Sequence, residues 1–255
     1  MTRDLRTKSL SINQVLAKRK DLSPCIVHLT RDTNGRSARD VLISIIDEWK
    51  LRAINPMGRA ARRTELSRLL KENQKVVCFT EVPWEYLSLL VVPIKGRQIN
   101  FGPYGIAVTR AWARENGVNP IWYLDQTRGH NWLTTPFDKI LRKALKKPEE
   151  FDEHPVAELA PFIDVMGTGT NTSSNQPYAR EFWWEREWRH VKDLILPHEL
   201  VVLCPESERR KFKKIVADHH YGRCPIIDPT WSGEKIERSL RRQAKREFRV
   251  VSLPR

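Results

Sequence analysis

The sequence predicts an α+β fold, in which short strands are scattered among helices without a regular strand–helix–strand repeat. Three observations carry this prediction. Short runs rich in β-branched and aromatic side chains end at proline or polar clusters, as in KVVCFTEVP (75–83). Stretches with apolar residues at helical spacing lie between and around them, as in SARDVLISIIDEWKLR (37–52). No G-x-G-x-x-G, Walker A, H-E-x-x-H or G-x-S-x-G pattern occurs, so nucleotide binding through a Rossmann or P-loop device is not expected.

Taken in order, PCIVHLTR (24–31) is a short strand with Ile26, His28 and Thr30 on one face. A histidine inside an apolar strand reads as a hydrogen-bonded core residue. Thr30, Arg31 and Asp32 nevertheless form a polar cluster with it at the strand end, where pockets form. Residues 37–52 place Val41, Leu42, Ile45, Ile46 and Trp49 on one helical face, and RAARRTELSRLLKEN (59–73) reads as a second helix with a basic outer side. KVVCFTEVP is a buried strand stopped by Pro83, with Thr80 and Glu81 closing it. YGIAVTR (104–110) opens on Tyr104 and leaves through Thr109, a capping residue for the helix AWAREN. NPIWYLD (119–125) is a third such strand, and 136–162 reads as one or two helices interrupted by Pro148 and Pro155.

GTGTNTSSNQP (167–177) has no apolar side chain and two glycines, so a surface loop is expected. REFWWEREWRHVKDLIL (180–196) follows as a long strand with ELVVLCP (199–205) as its neighbour. ESERRKFKKIVADHH (206–220) reads as a helix, CPIIDP (224–229) as a short strand and GEKIERSLRRQAKREFR (233–249) as a last helix.

Forty-five Lys and Arg against 31 Asp and Glu give a net charge of +14, a field that attracts polyanions and points to DNA or RNA as partner. Residues 231–255 hold eight Lys and Arg and three Glu, so this tail either tracks phosphates or is a solvated helix face. No apolar run is long enough to span a membrane, and the N-terminus lacks the apolar stretch of a secretory signal, so a cytoplasmic protein without a membrane partner is expected. Cys25, Cys78, Cys204 and Cys224 lie far apart with no C-x-x-C pair, which argues against a disulfide framework. His219, His220 and Cys224 lack a second ligand pair, so no metal site is expected.

REFWWEREWRH (180–190) concentrates aromatic and charged side chains. As a strand it carries Phe182, Trp184, Arg186, Trp188 and His190 on one face. The other face carries Glu181, Trp183, Glu185, Glu187 and Arg189, with carboxylates about 7 Å apart. Such carboxylates are either neutralised by Arg180, Arg186 and Arg189 in an ion-pair ladder, or held in a cleft for contact with a substrate. A helix is the competing local structure; it would pair Trp184 with Trp188 and Glu181 with Glu185.

The ordered set VHLTR, VCFTEVP, YGIAV, NPIWY and EFWWEREWRH resembles the AbiGi abortive-infection family and, more distantly, DarT-type ADP-ribosyltransferases, over roughly residues 24 to 205. The resemblance implies an ADP-ribosyltransferase-like split β-sheet core with surrounding helices. It divides the chain into an N-terminal extension (1–23), the transferase-like domain (24–205) and a basic helical C-terminal extension packed on that domain (206–255). By the same resemblance NAD is the substrate, held by His28 and Thr30 on the first strand and by Phe79 and Thr80 on the second. Arg31, Arg97 and Tyr104 stand in for the family's arginine and tyrosine signatures.

The late strand would supply the catalytic carboxylate, Glu187 or else Glu185, behind the 167–177 loop that presents the acceptor. Its role would be to stabilise positive charge on the ribose as the nicotinamide bond breaks. All of this requires Glu187 and His28 to meet across one hollow. The implied function is NAD-dependent ADP-ribosylation, with nucleic acid as acceptor, in phage defence or a toxin–antitoxin pair. The family's antitoxin label keeps two further readings open: an inactive nucleic-acid-binding regulator with a partner toxin or antitoxin, and an NAD glycohydrolase.

Overall fold

A computed structural model describes residues 19, 21–33, 35–61, 63, 67–94, 99–127, 131–170, 176–219 and 224–247. Strand β1 (Cys25–Leu29) leads to helix α1 (Ala38–Glu48), whose first turn is capped by the Ser37 hydroxyl accepting the Asp40 N–H. Short pieces follow: β2 (Lys50–Leu51), β3 (Asn55–Pro56), α2 (Gly58–Ala61) and α3 (Arg68–Glu72). Next come β4 (Lys75–Thr80), a 3₁₀ turn (Trp84–Tyr86) running into α4 (Leu87–Leu90), β5 (Gly105–Thr109) and α5 (Arg110–Glu115), capped by Thr109 as expected.

Beyond them lie β6 (Asn119–Pro120), β7 (Trp122–Asp125), α6 (Thr134–Ala144) and α7 (Pro155–Leu159), then a 3₁₀ turn (Ala160–Phe162) and β8 (Ile163–Thr170). The hairpin partner β9 (Pro177–Arg180) precedes a 3₁₀ turn (Phe182–Glu185), β10 (Glu187–Val191), β11 (Leu194–Ile195) and β12 (Val201–Leu203). Helix α8 (Arg209–His219), strand β13 (Ile226–Ile227) and helix α9 (Gly233–Glu247) are the last elements among the described residues.

The main sheet has the order β13-β12-β5-β1-β4-β10-β6, with β3 also paired to β4. Only β12 and β13 run parallel among these pairs. One face packs Ile26, Phe79, Ile106, Trp188 and Val202 against Leu42, Ile45 and Ile46 of α1 and Phe212 and Val216 of α8. The other packs Val27, Leu29, Ala107, Leu203 and Ile227 against Trp84, Leu87 and Ile236. A separate helical cluster gathers Leu141, Phe151, Val156 and Ala160. A small sheet, β7-β8-β9, and the pair β11-β2 stand beside the main one. The mixed architecture agrees with the α+β expectation.

Several expectations about the elements change. The long strand over 180–196 is broken into β9, the 3₁₀ turn, β10 and β11, with Arg186 at φ 48° closing the turn. The cause is the partner strand: β4 ends at Thr80, opposite Glu187, and Pro83 follows, so residues 181–186 have no ladder to join. Their backbone groups find other partners, with the Arg186 N–H donating to Trp183 O and the Glu81 N–H to Arg186 O. Second, NPIWYLD is two strands in different sheets, β6 on β10 and β7 on β8. Third, residues 59–73 hold two short helices; Arg62 and 64–66 lie outside the described residues. Fourth, Gly167–Thr170 pairs with Pro177–Arg180 in a hairpin, because threonines suit an exposed strand as well as a loop; 171–175 lie outside the described residues. The strand expected over 224–229 is β13, which joins the main sheet beside β12, and β12 pairs with β5 and β13 where it was expected beside the 180–196 strand.

Candidate functional site

Register decides which predicted residues can meet. Val27 of β1 pairs with Thr80 of β4, and Thr80 pairs with Glu187 of β10. Directly paired residues point to the same side of a sheet, so Val27, Thr80 and Glu187 share one face. His28 follows Val27 and points to the other, where it meets the Phe79 ring edge-on at 5.8 Å. The hollow expected between Glu187 and His28 is therefore not formed, because one lies on each side of the sheet.

His28 has a role in the sheet itself. Between β1 and β4 only one residue pair is in register, and His28 Nδ1 bonds Cys78 O across this seam at 2.8 Å. A carbonyl only accepts, so Nδ1 carries the proton. Burial holds the imidazole below its ordinary range, against the opposing pull of the Cys78 carbonyl.

On the opposite face Glu187 meets Arg189, which has no solvent exposure. Arg189 Nε and Nη2 donate to the two Glu187 carboxylate oxygens at 2.7 and 3.0 Å. Its Nη1 donates to Pro161 O at 2.6 Å and its Nη2 to Asp164 Oδ2 at 3.0 Å. Burial works against the guanidinium charge, yet Glu187 and then Asp164 hold its pKa above the ordinary value. The same cluster reaches its neighbours: burial, then Glu187, pushes the Cys78 thiol and the Tyr123 phenol upward. Of the two readings of the acidic face, neutralisation by arginine is the one realised at Glu187. It is a clamp around a buried arginine that joins β10 to β8 and the turn before it.

The remaining nominated residues lie in several places. Thr80 is opposite Glu187, and its hydroxyl donates to Glu185 O, so these three are neighbours. Glu185 belongs to the 3₁₀ turn, not to the strand. Phe79 is buried in the first-face core. Thr30 donates to Ala38 O at 2.7 Å, tying the end of β1 to α1. Arg31 lines a polar hollow of about 450 Å³ with Asp32, Thr33 and Asn100. Tyr104 donates to Glu208 Oε1 at 2.5 Å, and Arg39 holds the other oxygen of that carboxylate at 2.6 Å. Arg97 lies outside the described residues.

Two buried acids belong to this architecture without having been nominated. Asp164 sits in the apolar run FIDVMG, which is its only local signal. Glu81, 6% exposed, receives Arg110 Nη1 at 2.7 Å and the Trp188 indole N–H at 3.0 Å, with Arg186 at 3.6 Å. Its position at the end of KVVCFTEVP marked it as polar within an apolar strand.

Among the described residues no group of three or more His, Cys, Asp or Glu is placed to hold a metal ion. Among the same residues no helix is long and apolar enough to cross a membrane. A family model described as "Putative abortive phage resistance protein AbiGi, antitoxin" matches residues 58–214, more than half of the chain. The matched stretch contains Glu81, Asp164, Glu187 and Arg189 and begins after β1 with its His28. No curated protein and no solved structure matches the chain.

Proposed function

The chain belongs to the AbiGi family of abortive phage resistance proteins, described as antitoxins, and from that premise we propose that it is a non-catalytic regulator in phage defence that binds nucleic acid and a partner toxin. The observation that carries this reading is the Arg189 clamp. Glu187 is engaged through both carboxylate oxygens by a buried guanidinium, on the face of the sheet opposite His28. A carboxylate held this way serves packing between layers, and a ribose-stabilising role would first require the clamp to open. The net charge of +14 favours a polyanionic partner.

ADP-ribosyl transfer from NAD is the second reading, favoured by one feature: Thr80, Glu185 and Glu187 are gathered at the end of β4. NAD hydrolysis without an acceptor would use the same group. One experiment separates them. Wild type and Glu187→Gln are incubated with labelled NAD and duplex DNA or lysate, and their DNA binding is followed in parallel. The proposal expects salt-sensitive binding by both proteins, with neither label transfer nor nicotinamide release. Nicotinamide release by wild type that disappears in a folded Glu187→Gln sample would establish the enzyme instead, and the product, free or attached ADP-ribose, would tell hydrolase from transferase.

A further inference from the structure

Ile226 is where two basic helices are fastened to the edge of the main sheet. Its carbonyl accepts Arg209 Nη2 of α8 at 3.1 Å, and its N–H donates to Gln243 Oε1 of α9 at 3.1 Å. Strand β13 is the last in the sheet order, with α8 packed on one face through Phe212 and Val216 and α9 on the other through Ile236 and Leu240. The two helices thus straddle the edge, and the side chains that fix them also occupy its backbone groups, which closes it to a further strand.

Helical spacing then places the charges. On α8 the exposed Lys213 lies one turn on from Arg209, which faces β13, and the exposed Arg210 and Lys214 lie on the outer side next to it. On α9 the β13 flank is marked by Gln243 and by Ser239, whose hydroxyl accepts from Gln243 Nε2 at 2.9 Å. Lys235, Arg238 and Arg242 lie beside these two, all exposed. Acids stand among them: Asp218 lies one turn from Lys214 and Glu234 one turn from Arg238, while Glu237 pairs with Arg241 at 3.3 Å. Glu206 is the acid named at the rim, and it receives Lys235 Nζ at 2.9 Å and the Trp231 indole at 2.8 Å. The exposed positions of the two helices carry eight Lys and Arg against three acids, so the edge that they straddle is strongly positive.

We infer that this rim, Arg210, Lys213 and Lys214 on α8 with Lys235, Arg238 and Arg242 on α9, binds the phosphate backbone of duplex nucleic acid without reading base sequence. The inference rests on the nucleic-acid-binding reading above and assigns it a surface. A duplex is the ligand that fits, because among the described residues the rim presents no exposed aromatic ring. Trp231 is 8% exposed and lies under Arg209 and Lys235, at 4.9 and 4.0 Å from its ring. Single-strand binders present open aromatic rings to the bases. A membrane surface fits less well, since the apolar side of α9 is spent on the sheet and has nothing left to insert.

The test is fluorescence anisotropy with a duplex of about 20 base pairs across a salt series, where a handful of phosphate contacts gives a log–log slope of about −4. The triple variant Lys213→Glu, Arg238→Glu, Arg242→Glu is compared with Arg142→Glu, Lys143→Glu, Lys146→Glu, exposed residues on or just after α6 that change the net charge equally. The rim variant is expected to bind at least about 30-fold more weakly with a slope shallower by about 2 to 3, and the control within about threefold of wild type. The neutral triple Lys213→Gln, Arg238→Gln, Arg242→Gln gives an intermediate loss and guards against a folding defect.

Equal losses in the rim and control variants overturn the rim while leaving nucleic-acid binding intact. Preference for a single strand of the same length overturns the duplex assignment. Tighter binding to anionic phospholipid vesicles, lost in the rim variant, makes the surface a membrane site. No binding of wild type to any nucleic acid at low salt removes both the rim and the reading beneath it.

Discussion

Arg189 is fully charged at a position without solvent contact, and the side chains around it are organised by that fact. Removing one partner from a buried ion pair leaves the other uncompensated, a loss of about 3–5 kcal/mol. Glu187 is partly solvated and Asp164 also faces the guanidinium, so Glu187→Gln is expected to cost about 2 kcal/mol, lowering the melting temperature by about 4–8 °C. Differential scanning calorimetry checks this, and an unchanged melting temperature would mean that the clamp holds nothing. His28 makes a pH prediction. Its pKa lies below the ordinary value near 6.5 because burial disfavours the charged ring, so the unfolded chain binds more protons just below that pH. Stability is therefore complete above about pH 6.5 and falls as the pH drops towards the depressed folded value. A melting series from pH 7.5 to 5.5 should show a shallower decline in His28→Asn, which keeps a neutral donor for Cys78 O.

The strands and helices that carry strong local signals are found where their residues predict. β1, β4, β5 and α1 were legible because apolar alternation, a stop at Pro83 and helical spacing all act within a few residues. The 180–196 segment was not, since alternation requires a partner along its whole length and β4 supplies one only as far as Thr80. The 3₁₀ turn that results leaves Trp183 exposed and Arg186 in a left-handed conformation, neither of which alternation foresees. Another joint depends on one glycine. Gly58 opens α2 at φ +83°, where an added Cβ would sit 2.1 Å from Ala160 O in the turn before β8. Gly58→Ala must displace that backbone and adopt a strained φ, so a loss of at least about 2 kcal/mol is expected in denaturant unfolding. A change under half of that would show that the turn yields easily.

The described residues from 206 onward, expected as a basic helical extension packed on the domain, contribute to the core of the main sheet. Phe212, Val216, Ile226, Ile227, Trp231 and Ile236 are all buried on the two faces of the main sheet or along its edge. At about 2 kcal/mol for each buried side chain they contribute roughly 12 kcal/mol, as much as the whole net stability of a typical domain. A chain ending at residue 205 is therefore expected to show no cooperative melting transition, and a sharp one would show that the core stands without these residues. The positive charge, the mixed α+β class, the residues available to each strand face and the family likeness were all set by the sequence, because each follows from composition or from neighbours a few positions apart. Which faces of distant strands coincide was decided only in the folded molecule. His28 and Glu187 are separated by two strand pairings, and a slip of one residue in either would have exchanged the side of the sheet that Glu187 faces. That register follows from the summed packing of both sheet faces, which no local stretch of sequence contains.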